Sequence, residues 1–498
     1  MREAAPSPSA PAGRATPSAR GSGRVGGRPG EHGPAARQGS GRVGGRAGGL
    51  RPLRPGTQLT VTFSAMAPDG AAVARVGRVR LAVPYGIPGE TAVVEVTQTS
   101  PVLRGRIVGL MRKSPDAAVP PCPHFGRCGG CQWQHIALDG QRRLKQAMVV
   151  EALRGAEVEP PAVAPCVGIE PWTYRTVLTA TIGGRAGVPV AGFHTWGGGA
   201  VVPVESCAVQ HPTNVQLLHA VRDAVAALRL PPYDPQARRG LVRGVVGLTA
   251  AATGEALAVL STTGPLPDRM AFVRALLDRV PGLVGILLTV QRRPLPRLLG
   301  PRLDLLWGRP FVREELLGVR WRLDPRLPVL PSPRALELLF ETVREAARLR
   351  GEEQVLEAFA EGGVLTLALA ACVRRAVGVV ADREAMTAAW ATAAANGIAN
   401  AVFYTRDPGR VLVKLHRRGE RSDVLVLAPP GAGLPAELGP ALQAAGPPRL
   451  VYVARSLRAL AEDLRRLRGW GYAAGAVRPL DLFPQTSHVH TVVALERR

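Results

Sequence analysis

The sequence predicts an α/β multidomain protein with a small N-terminal β-barrel, a central α+β domain and a C-terminal doubly wound, Rossmann-like domain. Three observations lead there. Short apolar strands broken by Gly/Pro turns fill residues 56–112, three cysteines crowd into residues 122–131, and from residue 333 helices alternate with apolar strands.

The chain has 498 residues, room for about three domains of ~150 residues each. Lys and Arg number 63 against 38 Asp and Glu, a net charge of +25 that suggests a polyanionic partner such as nucleic acid. The cations are almost all Arg in a chain rich in Ala, Gly and Pro, so a compositional bias is the competing explanation. The longest apolar runs, such as Gly363 to Val373, fall far short of the ~20 residues that span a bilayer. Residues 1–55 contain no continuous apolar stretch of the secretory kind. These features predict a cytoplasmic protein with no membrane partner.

Residues 1–55 read as a basic tail, with Arg14, Arg20, Arg24, Arg28, Arg37, Arg42 and Arg46 separated by Gly and Ser. Such a segment buries too little apolar surface to offset its ordering entropy and is expected to be disordered. Residues 56–112 are the barrel: Leu59 to Phe63 alternates as a strand, Pro68-Asp69-Gly70 is a turn, and Val73 to Val83 and Thr91 to Val96 are strands. Residues 113–332 mix strands and helices without a clear period. Residues 333–498 give helix Pro333–Leu349, strand Gln354–Ala358, helix Leu365–Arg374, strand Ala376–Val380 and helix Arg383–Asn396. Strands Val402–Tyr404, Val424–Ala428 and Arg449–Ala454 follow. In a doubly wound domain a cofactor is expected beyond the end of the first strand.

Cys122-Pro-His-Phe-Gly-Arg-Cys128-Gly-Gly-Cys131-Gln-Trp-Gln-His135 is the sharpest local signal. Its spacing lets three thiolates converge, and Gly129 and Gly130 let the backbone fold tightly around them. Cys207 is the candidate fourth ligand. Four thiolates suit a [4Fe–4S] cluster or a structural zinc, and spacing alone does not separate the two. Cys166 and Cys372 sit among apolar neighbours and read as ordinary buried residues.

The order of these parts resembles one family. Met66-Ala-Pro-Asp-Gly70, Val73-Ala-Arg75 and Val83-Pro-Tyr-Gly-Ile-Pro-Gly-Glu90 look like a TRAM domain, a small RNA-binding barrel. The run from Cys122 to His135 is similar to the [4Fe–4S] motif of the RNA (uracil-5-)-methyltransferases. Trp172-Thr-Tyr-Arg175, Gly192-Phe-His194 and Asp481-Leu-Phe-Pro-Gln-Thr-Ser-His488 resemble further segments of that family. The resemblance covers about residues 56–498. It implies a class I methyltransferase domain using S-adenosylmethionine, a cluster held by Cys122, Cys128, Cys131 and Cys207, and ribosomal RNA as partner of a monomer. Arg75, Arg78 and Arg80 on the barrel are the candidate RNA contacts.

The chemistry of that family needs a thiolate that adds to uracil C6, a base that removes the C5 proton, and a bound sulfonium cofactor. The family's strand ending in Ser-Cys-Asn-Pro is here Val451-Tyr-Val-Ala-Arg455-Ser-Leu457, with Arg455 at the nucleophile position. A guanidinium is cationic at any accessible pH and cannot add to C6. The position of the base is His490. The cofactor turn reads Glu357-Ala-Phe-Ala-Glu361-Gly362-Gly363, with Glu361 where the family has Gly, and Val380 stands where an acid would hold the ribose, with Asp382 nearby. The segment before the domain is replaced around Leu327 to Pro331, and the run after the fourth strand is Ala428-Pro-Pro-Gly431. Gly363 and Asp407 are the retained candidates for cofactor binding. These replacements predict a non-catalytic RNA-binding homologue to which S-adenosylmethionine binds weakly or not at all. The alternatives are an active ribosomal RNA uridine C5 methyltransferase with unusual residues, and a structural or redox iron–sulfur protein.

Overall fold

A computed structural model describes residues 53–155, 162–293, 295–326 and 332–498. The basic tail expected over residues 1–55 lies almost wholly outside the described residues, and so does the Leu327–Pro331 segment.

The first sheet contains β1 (Gln58–Thr62), β2 (Ala65–Met66), β3 (Ala72–Val76), β4 (Val79–Val83), β5 (Thr91–Gln98) and β6 (Arg104–Arg112), in the order β1-β5-β6-β4-β3-β2. Strand β1 also packs against β3, so the sheet curls around one core that includes Phe63, Leu81, Val94 and Ile87. In β5 the alternation is clean: Ala92, Val94 and Val96 point inward. Strand β6 escaped the sequence reading because it breaks alternation, leaving Val108, Leu110 and Met111 exposed.

Helix α1 (Leu138–Arg154) and the short β7 (Val167–Gly168) lead into a second sheet. It comprises β8 (Val177–Arg185), β9 (Val188–His194), β10 (Val201–Pro203), β11 (Val242–Thr249), β12 (Ala256–Thr262), β13 (Leu283–Val290) and β14 (Asp304–Gly308). Helices α2 (Pro212–Ala227) and α3 (Arg269–Leu277) cover one face and share a core with it. This region had no readable period because strands such as β12 are buried on both faces. A short apolar run of that kind is indistinguishable from a buried helix turn by pattern alone. A hairpin, β15 (Val312–Leu316) and β16 (Val319–Leu323), follows.

The last region holds α4 (Pro333–Ala347), β17 (Gln354–Ala360), α5 (Val364–Ala370), β18 (Arg375–Val380), α6 (Arg383–Ala395), β19 (Ala401–Tyr404), α7 (Pro408–Arg417) and β20 (Val424–Leu427). It ends with α8 (Leu438–Ala445), β21 (Arg449–Ala454), α9 (Leu457–Gly469), β22 (Tyr472–Asp481) and β23 (His490–Arg497). The sheet order is β19-β18-β17-β20-β21-β23-β22-β7; the first five strands are parallel, and β23 runs antiparallel between β21 and β22. The order reverses between β17 and β20, and a doubly wound sheet opens its binding crevice at that switch point. Two expectations shift at their ends. Helix α5 stops at Ala370, short of Arg374, because the Asn400 amide donates to the carbonyls of Ala370 and Val373 at 2.8 and 3.0 Å. Strand β17 runs two residues past Ala358 through a bulge at Phe359, whose φ is +64°.

One apolar cluster runs from one face of this sheet into the second sheet, joining Val355, Val451 and Val492 to Val246, Leu257 and Leu287. Polar contacts add the first sheet. Trp133 Nε1 donates to the Gly70 carbonyl at 3.0 Å, Ser487 Oγ to Pro68 at 2.9 Å, and the backbone N–H groups of Gln132 and Trp133 to Gln485. Lys145 of α1 and Asp481 of β22 form an ion pair with no exposed surface on either side chain. No helix among the described residues is long and apolar enough to cross a membrane.

Candidate functional site

Two sites gather most of the candidate residues. The first lies at the carboxyl ends of β17, β18 and β20. A cleft of about 660 Å³ opens there, lined by Phe359, Ala360, Glu361 and Gly362, by Val380 and Asp382, by Arg406, and by Ala428 and Pro430. Positive φ at the non-glycine Phe359 is the kind of backbone strain that tertiary packing must hold in place. Gly363 does not line this cleft. Its φ is +75°, and a Cβ there would meet the Phe403 ring at 2.7 Å, so the residue is glycine for packing. Gly362 faces the cleft in its stead. Asp407 caps α7 by accepting from Arg410 N at 2.9 Å and lines a different, neighbouring cleft. Asp382 likewise caps α6, accepting from Ala385 N at 2.8 Å, and Val380 is buried.

Behind the cleft is a cavity of only about 60 Å³, lined by Glu357, Glu361, Arg455 and His490 among apolar residues. Arg455 follows the end of β21. It donates to Glu361 at 2.6 Å, spanning the strand ends on either side of β20. Glu357 is buried, and Thr366 Oγ1 donates to it; burial pushes its carboxyl up to about 7. His490 is buried and stacks on Phe483 with ring centroids 5.5 Å apart. Burial, with the Arg455 charge beside it, pulls its imidazole down to about 3, so it stays neutral. Arg455 and His490 are therefore adjacent in space, the one a fixed cation and the other a neutral imidazole. The cleft has the place and size of a nucleoside pocket, but its polar groups differ from a cofactor-holding set. Glu361 is paired to Arg455, Asp382 is committed to a helix cap, and Val380 offers no acceptor for a ribose hydroxyl.

The second site gathers the cysteines. Cys122, Cys128, Cys131 and Cys207 all line one cavity of about 40 Å³, with Arg175 and Gln134. None is in a disulfide. Gly130 N–H donates to Cys128 Sγ at 3.4 Å, and Cys122 N to Gln134 Oε1 at 3.3 Å. The loop is clamped to β9: Gly129 N donates to His194 O, and a Cβ on Gly129 would lie 2.9 Å from the Thr195 backbone. Burial pushes the Cys131 thiol up to about 12. Among the described residues no group of three or more His, Cys, Asp or Glu side chains is arranged around a single metal ion. The four thiols share a cavity without closing on one point. Of the remaining cysteines, one meets the expectation of burial and one does so only in part. Cys166 is buried but lies beside the Lys145–Asp481 pair, not among apolar groups alone, and Cys372 is only half-buried.

Arg75, Arg78 and Arg80 are exposed on the β3–β4 hairpin. Arg75 stands directly opposite Arg80, whose guanidinium reaches Glu151 at 3.3 Å. Sequence reasoning named Glu357 and Arg175 only as members of longer motifs, and Lys145 and Trp196 not at all. Lys145 and Asp481 are 336 positions apart, and nothing local to either announces the other.

No protein-family model matches the chain. It is 31% identical over 449 residues to a protein of Halalkalibacterium halodurans described as an uncharacterized RNA methyltransferase, covering 89% of this chain and 98% of that one. A Gloeobacter violaceus protein with the same description is 34% identical over 459 residues, 90% and 99% of the two chains. Among solved structures, a tRNA (uracil-54, C5)-methyltransferase of Pyrococcus abyssi in complex with S-adenosyl-L-homocysteine superposes with a TM-score of 0.69. It covers 88% of this chain and 99% of that one at 22% identity, a likeness of fold.

Proposed function

We infer the function from one premise: the chain belongs to the RNA (uracil-5-)-methyltransferase family. The reading that the site supports best is an RNA-binding member of that family in which uridine C5 methylation has been lost. The observation that carries it is the Arg455–Glu361 pair. Thiolate addition to C6 needs a nucleophile at the end of β21, and the residue there is a permanent cation already engaged with a carboxylate. The first sheet, with its exposed arginines, and the overall charge of +25 supply the RNA affinity. Ribosomal RNA is the proposed partner.

A second reading is an active S-adenosylmethionine-dependent RNA methyltransferase. The relatives favour it, since proteins matching nearly the whole chain are described as RNA methyltransferases, and no comparison supports loss of activity. The open cleft beyond β17 and β20 favours it as well. Calorimetry with S-adenosylmethionine, followed by incubation of the purified protein with the labelled cofactor and total RNA, separates the two. Absence of both binding and label supports the first reading, and label transferred to RNA establishes the second.

Cys122, Cys128, Cys131 and Cys207 are proposed to hold a [4Fe–4S] cluster. Four unbridged thiols on one cavity, a backbone N–H already directed at Cys128 Sγ, and the Arg175 cation beside them suit a thiolate-ligated group of net negative charge. When bound, the group ties the Cys122–Cys131 loop to Cys207 beyond β10. The chain's own residues supply the clamp: Gly129 on His194 O, and His124 Nε2 accepting from Glu205 N at 3.4 Å.

A further inference from the structure

A third cleft, of about 1060 Å³, adjoins the cysteine site, where the β4–β5 loop, the cysteine loop and the β9–β10 loop meet. That volume lies just above the ~300–1,000 Å³ range of small-ligand pockets, room enough for a segment of polymer. Tyr85 and Trp196 line it, their rings edge-to-face with centroids 5.0 Å apart. Both are half-buried, so each keeps ring surface at the cleft. Tyr85 holds a φ of +64°, rare for a ring-bearing residue. Its ring is also edge-to-face with Phe125 at 5.3 Å and with His135 at 6.1 Å. Two cations flank the rings. Arg104 is steadied by Asp69 at 2.8 Å, and Arg127 is exposed with no side-chain partner among the described residues. Asp69 is the one acid on the lining, and it is already paired.

Aromatic rings interleaved with arginines along an open groove are the elements by which proteins hold unpaired nucleic acid: every base has a face that stacks, and the backbone tracks the cations. A duplex keeps its bases stacked inside and offers nothing to Tyr85 or Trp196. The geometry points to a site for single-stranded RNA in this cleft, with a base stacking on Trp196, which the Tyr85 ring steadies, and phosphates meeting Arg127 and Arg104. This rests on the RNA-binding reading above and adds to it the form of the RNA and the residues that receive it. Phe125 lines the cysteine cavity while touching Tyr85, so the groove and the cysteine loop share a wall.

The test uses the full chain and a labelled unpaired oligonucleotide beside a hairpin duplex of the same composition, followed by fluorescence polarisation at low salt. Trp196→Ala is expected to weaken binding of the unpaired RNA about tenfold, within the range of base–aromatic stacking, and to leave duplex binding unchanged. Trp196→Phe should restore most of the loss. Arg127→Gln should weaken binding and lower the salt slope by about 0.7. If Trp196→Ala perturbs the thermal melt, the Phe and Arg127→Gln variants carry the test. Unpaired-RNA affinity unchanged in folded Trp196→Ala and in Arg127→Gln, with wild type binding well, overturns the inference and leaves the RNA-binding reading standing. Wild type that binds no RNA overturns both.

Discussion

Arg455 and Glu361, 94 positions apart, meet in a 2.6 Å hydrogen bond that ties the end of β21 to the end of β17. On the proposed reading each stands where the family's site has another residue, and each neutralises the other. A lone arginine there would sit beside a neutral His490 with no counter-charge, and a lone Glu361 would add a second carboxylate next to the buried Glu357. The pair explains how both substitutions persist in one folded site.

The first prediction follows from that coupling. Arg455→Cys alone should give no 5-methyluridine, because Glu361 is left unpaired and the ribose acceptor at Val380 is still missing. Mass spectrometry of RNA incubated with the variant and S-adenosylmethionine reads the outcome. Product from the single variant would show that the cofactor cleft works as it stands.

The second concerns the cysteines. Protein purified without oxygen should be brown and carry about four iron atoms per chain, as that cluster type requires. Cys207→Ser should lower the iron content and loosen the cysteine loop first, measured as faster hydrogen exchange around Cys122 to Cys131. Stoichiometric zinc without iron would refute the assignment.

The third concerns the β3–β4 hairpin. On single strands the logarithm of affinity falls with the logarithm of salt by about 0.7 per neutralised phosphate. Replacing Arg75, Arg78 and Arg80 together with Gln should reduce that slope by about 2 if all three meet phosphates. An unchanged slope would place the RNA elsewhere on the chain.

The fourth concerns the buried pair that anchors α1 to β22. Lys145→Ala strands Asp481 without a counter-ion, since neither side chain is exposed. The loss expected is about 3–5 kcal/mol of stability, whereas Lys145→Met with Asp481→Leu should cost far less. Denaturant unfolding of the two variants makes the comparison, and equal losses would show that packing volume and not charge governs the site.

The fifth is a pH dependence. Glu357 keeps its proton up to about pH 7 in the folded protein, while an unfolded glutamate releases it near 4.5. Its contribution is fully present below about 4.5, declines as pH rises, and is gone above about 7, a loss of at most about 3 kcal/mol. His490 runs the other way: with a folded value of about 3, it favours folding above 6.5 and loses that contribution as pH falls. The stability of wild type relative to Glu357→Gln isolates the first group and should fall from pH 5 to pH 7. A flat difference would mean that Glu357 is ionised throughout.

The sequence by itself determined the strands that alternate, such as β5, the helix–strand order of the last 166 residues, the cysteine spacing, and the presence of Arg455 and His490 after β21 and at the start of β23. These are properties of neighbours a few residues apart, and local backbone geometry fixes where such neighbours point. The tertiary structure alone decided the rest. It turned Gly363 toward Phe403 and left Gly362 on the cleft, added β7 beside β22, 313 positions later, and set Trp196 against Tyr85. Each of those contacts depends on the order in which strands lie side by side. That order is selected by burial of whole sheet faces against one another, a sum over many weak contacts that no single segment encodes.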